Sequence, residues 1–571
     1  MSRRIKGPTP KIFPPPESLR PTIVGTRHVV SAGHHLAAEA ATQILRRGGN
    51  AIDAGVAGGL VLNVVMPDMC NFGGVAPIVV RTAGSDEVWS VAGLGTWGRE
   101  ATLEAFRERF GDALPQGPGN AVVPAAPAAW ITALERWGTC TFADVAMPAI
   151  ELAAEGFALD QRAAYAIGLL GRDWETTRAV FLPDGRLPEV GQVIRQPALA
   201  ALLRRLVDAE VGSDRANALA SVRRTFYEGE VADAIVAFNR EGGGWLTSAD
   251  LAGFTAEVAR AVSRPYHGWL VHTTGAWSQG PALLQALAIL EGFDLESAGH
   301  NSADYLHLLV EAIKLAFSDR ERFYGDPRFV DVPLELLLSD EHAEELRARL
   351  DPARALGNLP TRDVPSARKH DTTYLCVIDA DGNAFSATPS DTLDGGPLVP
   401  GLGIIVSPRG LQSRLDPTHP SVLAPGKRPR LTPAPALALR AGDGQDTMLW
   451  AFGCPGGDVI LQAMLQSFLN VVHFGMTPQQ AVEAPRVAGF SFPDSFYPHE
   501  ELDRRVNVEA RIGDAVRREL AARGHDVAVW PEWEFDAGGV AMCLDLEPPT
   551  ATTRVLAAAA DPRRGTYAIG R

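Results

Sequence analysis

The pair Thr372-Thr373 stands where a charged, irregular stretch gives way to the apolar run TTYLCVIDADGNAFSATPS. A threonine hydroxyl is a weak nucleophile until a base comes within hydrogen-bond reach, and an N-terminal threonine carries that base as its own α-amine. The unperturbed pKa of such an amine, about 7.7 to 8.0, lies close to working pH. Breaking the Asp371-Thr372 bond creates one: the Thr372 hydroxyl attacks the Asp371 carbonyl, an ester forms, and water opens it. This step demands a strained backbone held by its surroundings. Residue types alone do not choose between the two threonines, and the bland alternative is a linker running into an ordinary edge hairpin. A second place is FGCPGGDVILQAMLQSFLNVV, where Gly456-Gly457 precede a helix that Asp458 can cap. Unpaired backbone N–H groups at such a start suit a developing oxyanion, though a plain strand-to-helix turn has the same composition.

Rigid elements must carry these residues. From Leu36, LAAEAATQILRR has helical spacing up to Gly48-Gly49-Asn50, and AIDAGVAGGLVLNVV then forms a second, nearly all-apolar helix, so the pair reads as a buried helical hairpin. NSADYLHLLVEAIKLAFSDRERFYG puts Tyr305, Leu308, Leu309, Ala312 and Ala316 on one face, with Asn301 or Ser302 as cap. Between about 340 and 371 the chain turns charged and then irregular, with no apolar period past Leu359, and reads as an exposed, mobile segment. Two β-rich runs then flank Asp379-Ala380-Asp381-Gly382-Asn383, whose Asp-Gly step predicts a hairpin. Residues 1–25, rich in Pro and charge, predict an extended arm.

With 46% hydrophobic and 21% charged residues among 571, the chain describes a folded, water-soluble protein and excludes wholesale disorder. A net charge of -15 repels phosphate backbones and anionic lipid, and no basic stripe reverses it, so no nucleic-acid partner is expected. No run reaches about 18 apolar residues and the Pro-broken N-terminus lacks a secretory apolar core, so neither a membrane span nor export is expected. Cys70, Cys140, Cys376, Cys454 and Cys543 are scattered and without CxxC spacing, which argues against disulfides or zinc and points to a reducing cytoplasm. His34-His35 cannot share a helix face and read as structural, so no metal is expected. No GxGxxG before a helix and no P-loop is present, and no cofactor is expected. Cys376 reads as packing. Gly73-Gly74 either bring backbone close to a site or permit tight packing.

Asp371-Thr372-Thr373-Tyr374, Val377 and the DADGNA turn resemble the threonine junction of the γ-glutamyltranspeptidases. The resemblance continues in shared order through GGNAIDAGVAG (48–58), AIELAAEGF (149–157), FYEGEVADAIV (226–236), LTSADLAGF (246–254), SDRERFYGDP (318–327), LAPGKRP (423–429), PGGD (455–458) and EAPRV (483–487). It implies that Thr372 is the nucleophile and, with Asp371, the autocleavage site. It implies an αββα sandwich, two stacked sheets between helical layers of the N-terminal nucleophile hydrolase type, built jointly by a large subunit (26–371) and a small subunit (372–571). The Gly456 and Gly457 amides are then the oxyanion donors, and Ser390 carries the hydroxyl that orients the nucleophile. Arg99, in GTWGREAT, is implied to grip a substrate carboxylate bidentately, which a lysine cannot reproduce; a solvated helix-start arginine is the other reading.

Substrate-side positions depart from that family's pattern. Thr96 stands for an acid near Arg99, and no matching Pro follows. Gly410, Leu411 and Gln412 replace the acidic pair that grips an α-ammonium, Leu431-Thr432 replace Ser-Ser, and Thr392 replaces an asparagine; Thr392 and Thr432 remain candidate substrate contacts. An ammonium deprived of carboxylates is costly to desolvate. The resemblance therefore implies a γ-glutamyltransferase or glutathione hydrolase-like zymogen that takes a small acyl amide and passes the acyl group to water or an amine. The alternatives are a glutaryl or other acid amide as donor, or a silent relative that binds a small acid.

Overall fold

The structure, a computed structural model, describes residues 18–183, 185–357, 372–442, 445–549 and 553–571. Asp371, the segment just before it and residues 1–17 therefore lie outside the described residues, and with them the expected mobile stretch past Leu359 and most of the expected arm.

Two seven-stranded antiparallel sheets stack face to face. One runs in the order Tyr567–Gly570, His28–Ala32, Leu375–Asp379, Ala384–Ala387, Ile78–Arg81, Val88–Ala92, Glu257–Arg260. The other runs Ile23–Gly25, Leu556–Ala560, Ala541–Asp545, Gln445–Gly453, Ala436–Gly442, Trp269–Thr273, Val262–Tyr266. Both sheets thus mix strands from before and after Thr372. The period of two in the strand Leu375–Asp379 shows why the layers form: Leu375 and Val377 pack toward helices, while Cys376 and Ile378 pack between the sheets against Leu437, Leu449 and Cys543. Helices cover each outer face, which completes the αββα sandwich.

On one face lie His35–Arg46 and Ala51–Val65, the expected hairpin, with every residue of the second helix buried. Asn50 caps that helix in a capping box with Asp53. Asp379 fastens the same helix to the nucleophile hairpin: Oδ2 accepts from the Ala51 N–H at 2.9 Å and Oδ1 from the Asn383 N–H at 2.9 Å. The other face carries Gly280–Leu290, Ala303–Phe323 and Val459–Val472. Ser302, not Asn301, caps Ala303–Phe323, accepting from the Tyr305 N–H at 3.1 Å. Two expectations change. Ile23–Gly25 are not arm but an edge strand paired with Leu556–Ala558, because their backbone groups find a sheet edge. The charged run from 340 begins as a helix, Asp340–Ala348, which buries Ala343 and Leu346 on one face behind a Ser339 cap.

Candidate active site

Thr372 leads into the strand Leu375–Asp379 fully buried, at φ 122°. A β-branched residue there is a genuine outlier, and such strain persists only where neighbours over-determine the conformation. The Thr372 N–H donates to the Met69 carbonyl at 3.1 Å, and the Thr373 N–H to the Pro389 carbonyl at 3.0 Å. The two hydroxyls go different ways. Thr372 Oγ1 lies 2.7 Å from Ser390 Oγ, whereas Thr373 Oγ1 donates to the Met66 sulfur at 3.3 Å. Geometry thus separates the two threonines that residue types left equivalent.

Ser390 is pinned from behind by a bridge to Val75, whose carbonyl accepts its N–H at 3.0 Å. This needs close backbone approach: a Cβ on Gly74 would sit 2.4 Å from the Ser390 carbonyl oxygen, and one on Gly73 2.3 Å from that of Ile405. In front, Arg409 Nη2 donates to Ser390 Oγ and Arg409 Nε to Asp391 Oδ1, while Ser407 Oγ donates to Asp391 Oδ2 at 2.7 Å. Asp391, itself at φ 94°, and Arg409 are both buried. The contacts continue from Arg409 Nη1 to Gln412 Oε1 (3.4 Å), and from Gln412 Nε2 to Thr432 Oγ1 (3.0 Å). Gln279 Nε2 then bonds the carbonyls of Thr432 (2.8 Å) and Gly457 (3.0 Å). One polar chain therefore joins the nucleophile's neighbour to the glycine pair.

Gly456 and Gly457 take φ 132° and 58°, the first costly and the second uncommon for other residues. Their N–H groups donate to no acceptor among the described residues. Asp458 does not cap the following helix with its side chain, contrary to expectation, because that carboxylate is taken by Arg320 and by the Ser495 N–H and hydroxyl, each at 2.7 Å. A small pocket beside Thr372 is lined by Met66, Met69, Arg162, Pro455, Phe535 and Arg564.

Arg99 is not in that pocket. Its side chain is 70% exposed, 3.7 Å from Asp250, and with Thr96 it lines a separate cleft that Thr372 does not border. Thr392 turns its hydroxyl to Asp394. His34 caps the first helix, its Nδ1 accepting from the Leu36 N–H at 3.2 Å, and burial pushes its pKa down to about 3. Cys376 is buried between the sheets. The sequence reading missed Arg409, Asp391, Arg162 and Arg564. The signal for the first two was present: Asp391 follows Ser390 directly, and an arginine in the apolar stretch GIIVSPRGL needs a carboxylate to be buried.

A threonine hydroxyl at the head of a central strand, in a fold of two stacked antiparallel sheets between helical layers, defines an N-terminal nucleophile hydrolase. The Gamma-glutamyltranspeptidase family model matches residues 37–570. The chain is 32% identical over 559 residues, 96% of itself and 99% of the relative, to the glutathione hydrolase-like YwrD proenzyme of Bacillus subtilis (strain 168). It is 34% identical over 530 residues, 89% of itself and 88% of the relative, to the acylase ACY 1 proenzyme of Pseudomonas sp. (strain SE83). The crystal structure of cephalosporin acylase from Bacillus halodurans superposes with a TM-score of 0.85 at 30% identity, covering 100% of this chain and 99% of that one. The chain belongs to the γ-glutamyltranspeptidase family and is an autoprocessing amidohydrolase of that family.

Proposed function

We propose that Thr372 cuts the chain before itself and then works as an N-terminal nucleophile on the amide of a small acid-bearing acyl group. The strained, buried Thr372 with its hydroxyl 2.7 Å from Ser390 carries this reading. In the precursor the hydroxyl adds to the Asp371 carbonyl and the C–N bond breaks, which frees the α-amine and leaves an ester; water then opens the ester, releasing the Asp371 carboxylate and restoring the hydroxyl. That amine then takes the hydroxyl proton as Thr372 attacks substrate, and delivers it to the leaving amine. Ser390, fixed by Arg409, orients the hydroxyl, and the Gly456 and Gly457 N–H groups receive the oxyanion; one such donor is worth about 3 to 4 kcal/mol. Water or an amine then removes the acyl group, and the two fragments stay together as one sandwich.

A γ-glutamyl donor fits this site less well than an acid without the α-amine. Gln412 presents an amide, bonded to Thr432, and Asp391 beside Ser390 has both oxygens engaged, so neither serves an ammonium. The names of the relatives, among them acylases, support this choice. The test is kcat/KM for glutaryl and γ-glutamyl versions of one anilide. We expect the glutaryl donor to lead by roughly 10 to 150-fold, the value of one lost charge-assisted hydrogen bond. A γ-glutamyl lead of tenfold or more would overturn it. All five cysteines are free thiols, which supports a reducing compartment, the cytoplasm, for this activity.

A further inference from the structure

Two consecutive arginines near the C-terminus are treated very differently by the fold. Arg563 is saturated: it bonds both oxygens of Glu509 at 2.7 Å, Asp561, and the carbonyls of Val482 and Ala484 at 2.9 Å. Arg564 is just as buried, at 3% exposure, yet only its Nε is used, donating to the Phe535 carbonyl at 2.8 Å. Among the described residues both of its terminal nitrogens are buried without a hydrogen-bond partner, and no carboxylate pairs with it. The Arg564 guanidinium carbon lies over the Phe535 ring, 4.0 Å from its centre, a cation–π contact that helps hold the side chain in place. It lines the same pocket as Thr372. Arg162 lines that pocket too, pairing with the buried Asp68 through Nη1 and leaving Nη2 buried and unpartnered. A buried, unpaired charge is costly, and an anionic ligand in the pocket would offset that cost.

The position of the fork relates it to the reaction. A Cβ on Gly456 would stand 3.5 Å from Arg564 Nη2, so the guanidinium lies beside the Gly456 backbone, and Pro455, the residue before it, lines the same pocket as Thr372. Met66, Met69 and Phe535 line the same pocket. We infer that Arg564, assisted by Arg162, is the carboxylate subsite for the acyl group, so that the enzyme takes monoamides of short dicarboxylic acids. The carboxylate lies in the fork of Arg564 while the acyl carbon lies between Thr372 Oγ1 and the glycine amides. Arg99, in its exposed cleft with Asp250, has no part in holding the acyl group. This inference rests on the acyl-enzyme reading above and names the donor that such a site selects.

The experiment compares Arg564→Met and Arg99→Met with the wild type, each confirmed to self-cleave. The readout is the ratio of kcat/KM for an ω-carboxyacyl anilide to that for its uncharged methyl-ended isostere, in a series from oxamyl through succinyl to glutaryl. For the best acid donor the ratio falls 50-fold or more in Arg564→Met, with Arg564→Lys in between, and stays within threefold of wild type in Arg99→Met. A fall confined to Arg99→Met overturns the assignment. An equal loss for charged and uncharged donors in Arg564→Met, the mark of an oxyanion or purely structural role, overturns it as well. Calorimetric binding of free glutarate and succinate to the same proteins separates this inference from the acyl-enzyme reading. Should the wild type turn over no amide, binding that depends on Arg564 still upholds the subsite, and binding indifferent to Arg564, or absent, refutes it.

Discussion

Ser390 Oγ stands 2.7 Å from Thr372 Oγ1 while accepting a hydrogen bond from Arg409, and Arg409 is clamped by Asp391, the next residue after Ser390. Orientation of the nucleophile is therefore set by an ion pair two contacts away. Ser390→Ala removes the hydroxyl that holds Thr372 and leaves one Arg409 nitrogen unserved. Loss of a hydrogen bond of this charged kind predicts self-cleavage and turnover slower by roughly 10 to 150-fold, measured as the time course of precursor disappearance on a denaturing gel. Cleavage at the wild-type rate would remove Ser390 from the account.

Asp391→Asn keeps the shape of the side chain but leaves Arg409 as a buried charge without its counter-ion. Breaking a buried pair from one side predicts a loss of about 3 to 5 kcal/mol, read as the urea midpoint at constant slope. A change under 1 kcal/mol would mean that Arg409 finds another anion.

Gly74→Ala tests the close approach behind the site. The added methyl meets the Ser390 carbonyl oxygen at 2.4 Å, so the Ser390 segment has to move. Overpacking of this type predicts a loss of about 1 to 3 kcal/mol, with self-cleavage falling further than the stability loss accounts for. A processed, fully active variant would show that the approach is incidental.

Much of this architecture was legible in the sequence because it follows local rules. The two β-rich runs around the Asp-Gly turn predicted the nucleophile hairpin, and Gly48-Gly49-Asn50 predicted the break between two buried helices. Ser390 followed from family resemblance, and its hydroxyl stands 2.7 Å from that of Thr372; the glycine pair followed in the same way, and Pro455 just before it lines the pocket of Thr372. What could not be read was pairing between distant charges. Nothing local tells Arg563 from Arg564, since the difference lies in Glu509 and Asp561 reaching one and not the other. For Arg99 the motif suggested a carboxylate ligand, and the structure places it exposed, 3.7 Å from Asp250, a position that depends on a distant helix.

Stability should fall as the solution is acidified below pH 6.5. Burial pushes the pKa of His272 down to about 4 and that of His34 to about 3, so both stay neutral in the folded chain while the unfolded chain protonates near 6.5. A depressed folded-state pKa gives stability that is complete above 6.5 and is lost as pH drops, by up to about 1.4 kcal/mol per unit for each histidine. For His272 the window runs from 6.5 to about 4. Both His272 ring nitrogens are buried without partners, so His272→Leu should flatten the slope of stability against pH by about one proton. An unchanged slope would show that this ring is protonated in the folded state.

The most direct test of the central claim is intact mass and N-terminal sequencing of the purified protein and of Thr372→Ala. The account predicts that the wild type separates under denaturing conditions into residues 1–371 and 372–571, the second beginning Thr-Thr-Tyr. It predicts that the two co-elute when native, because both sheets contain hydrogen-bonded strands from both fragments, and that Thr372→Ala remains one chain. A wild type that stays intact after prolonged incubation, a cut at Thr373 or elsewhere, or a Thr372→Ala chain that still cleaves would contradict it.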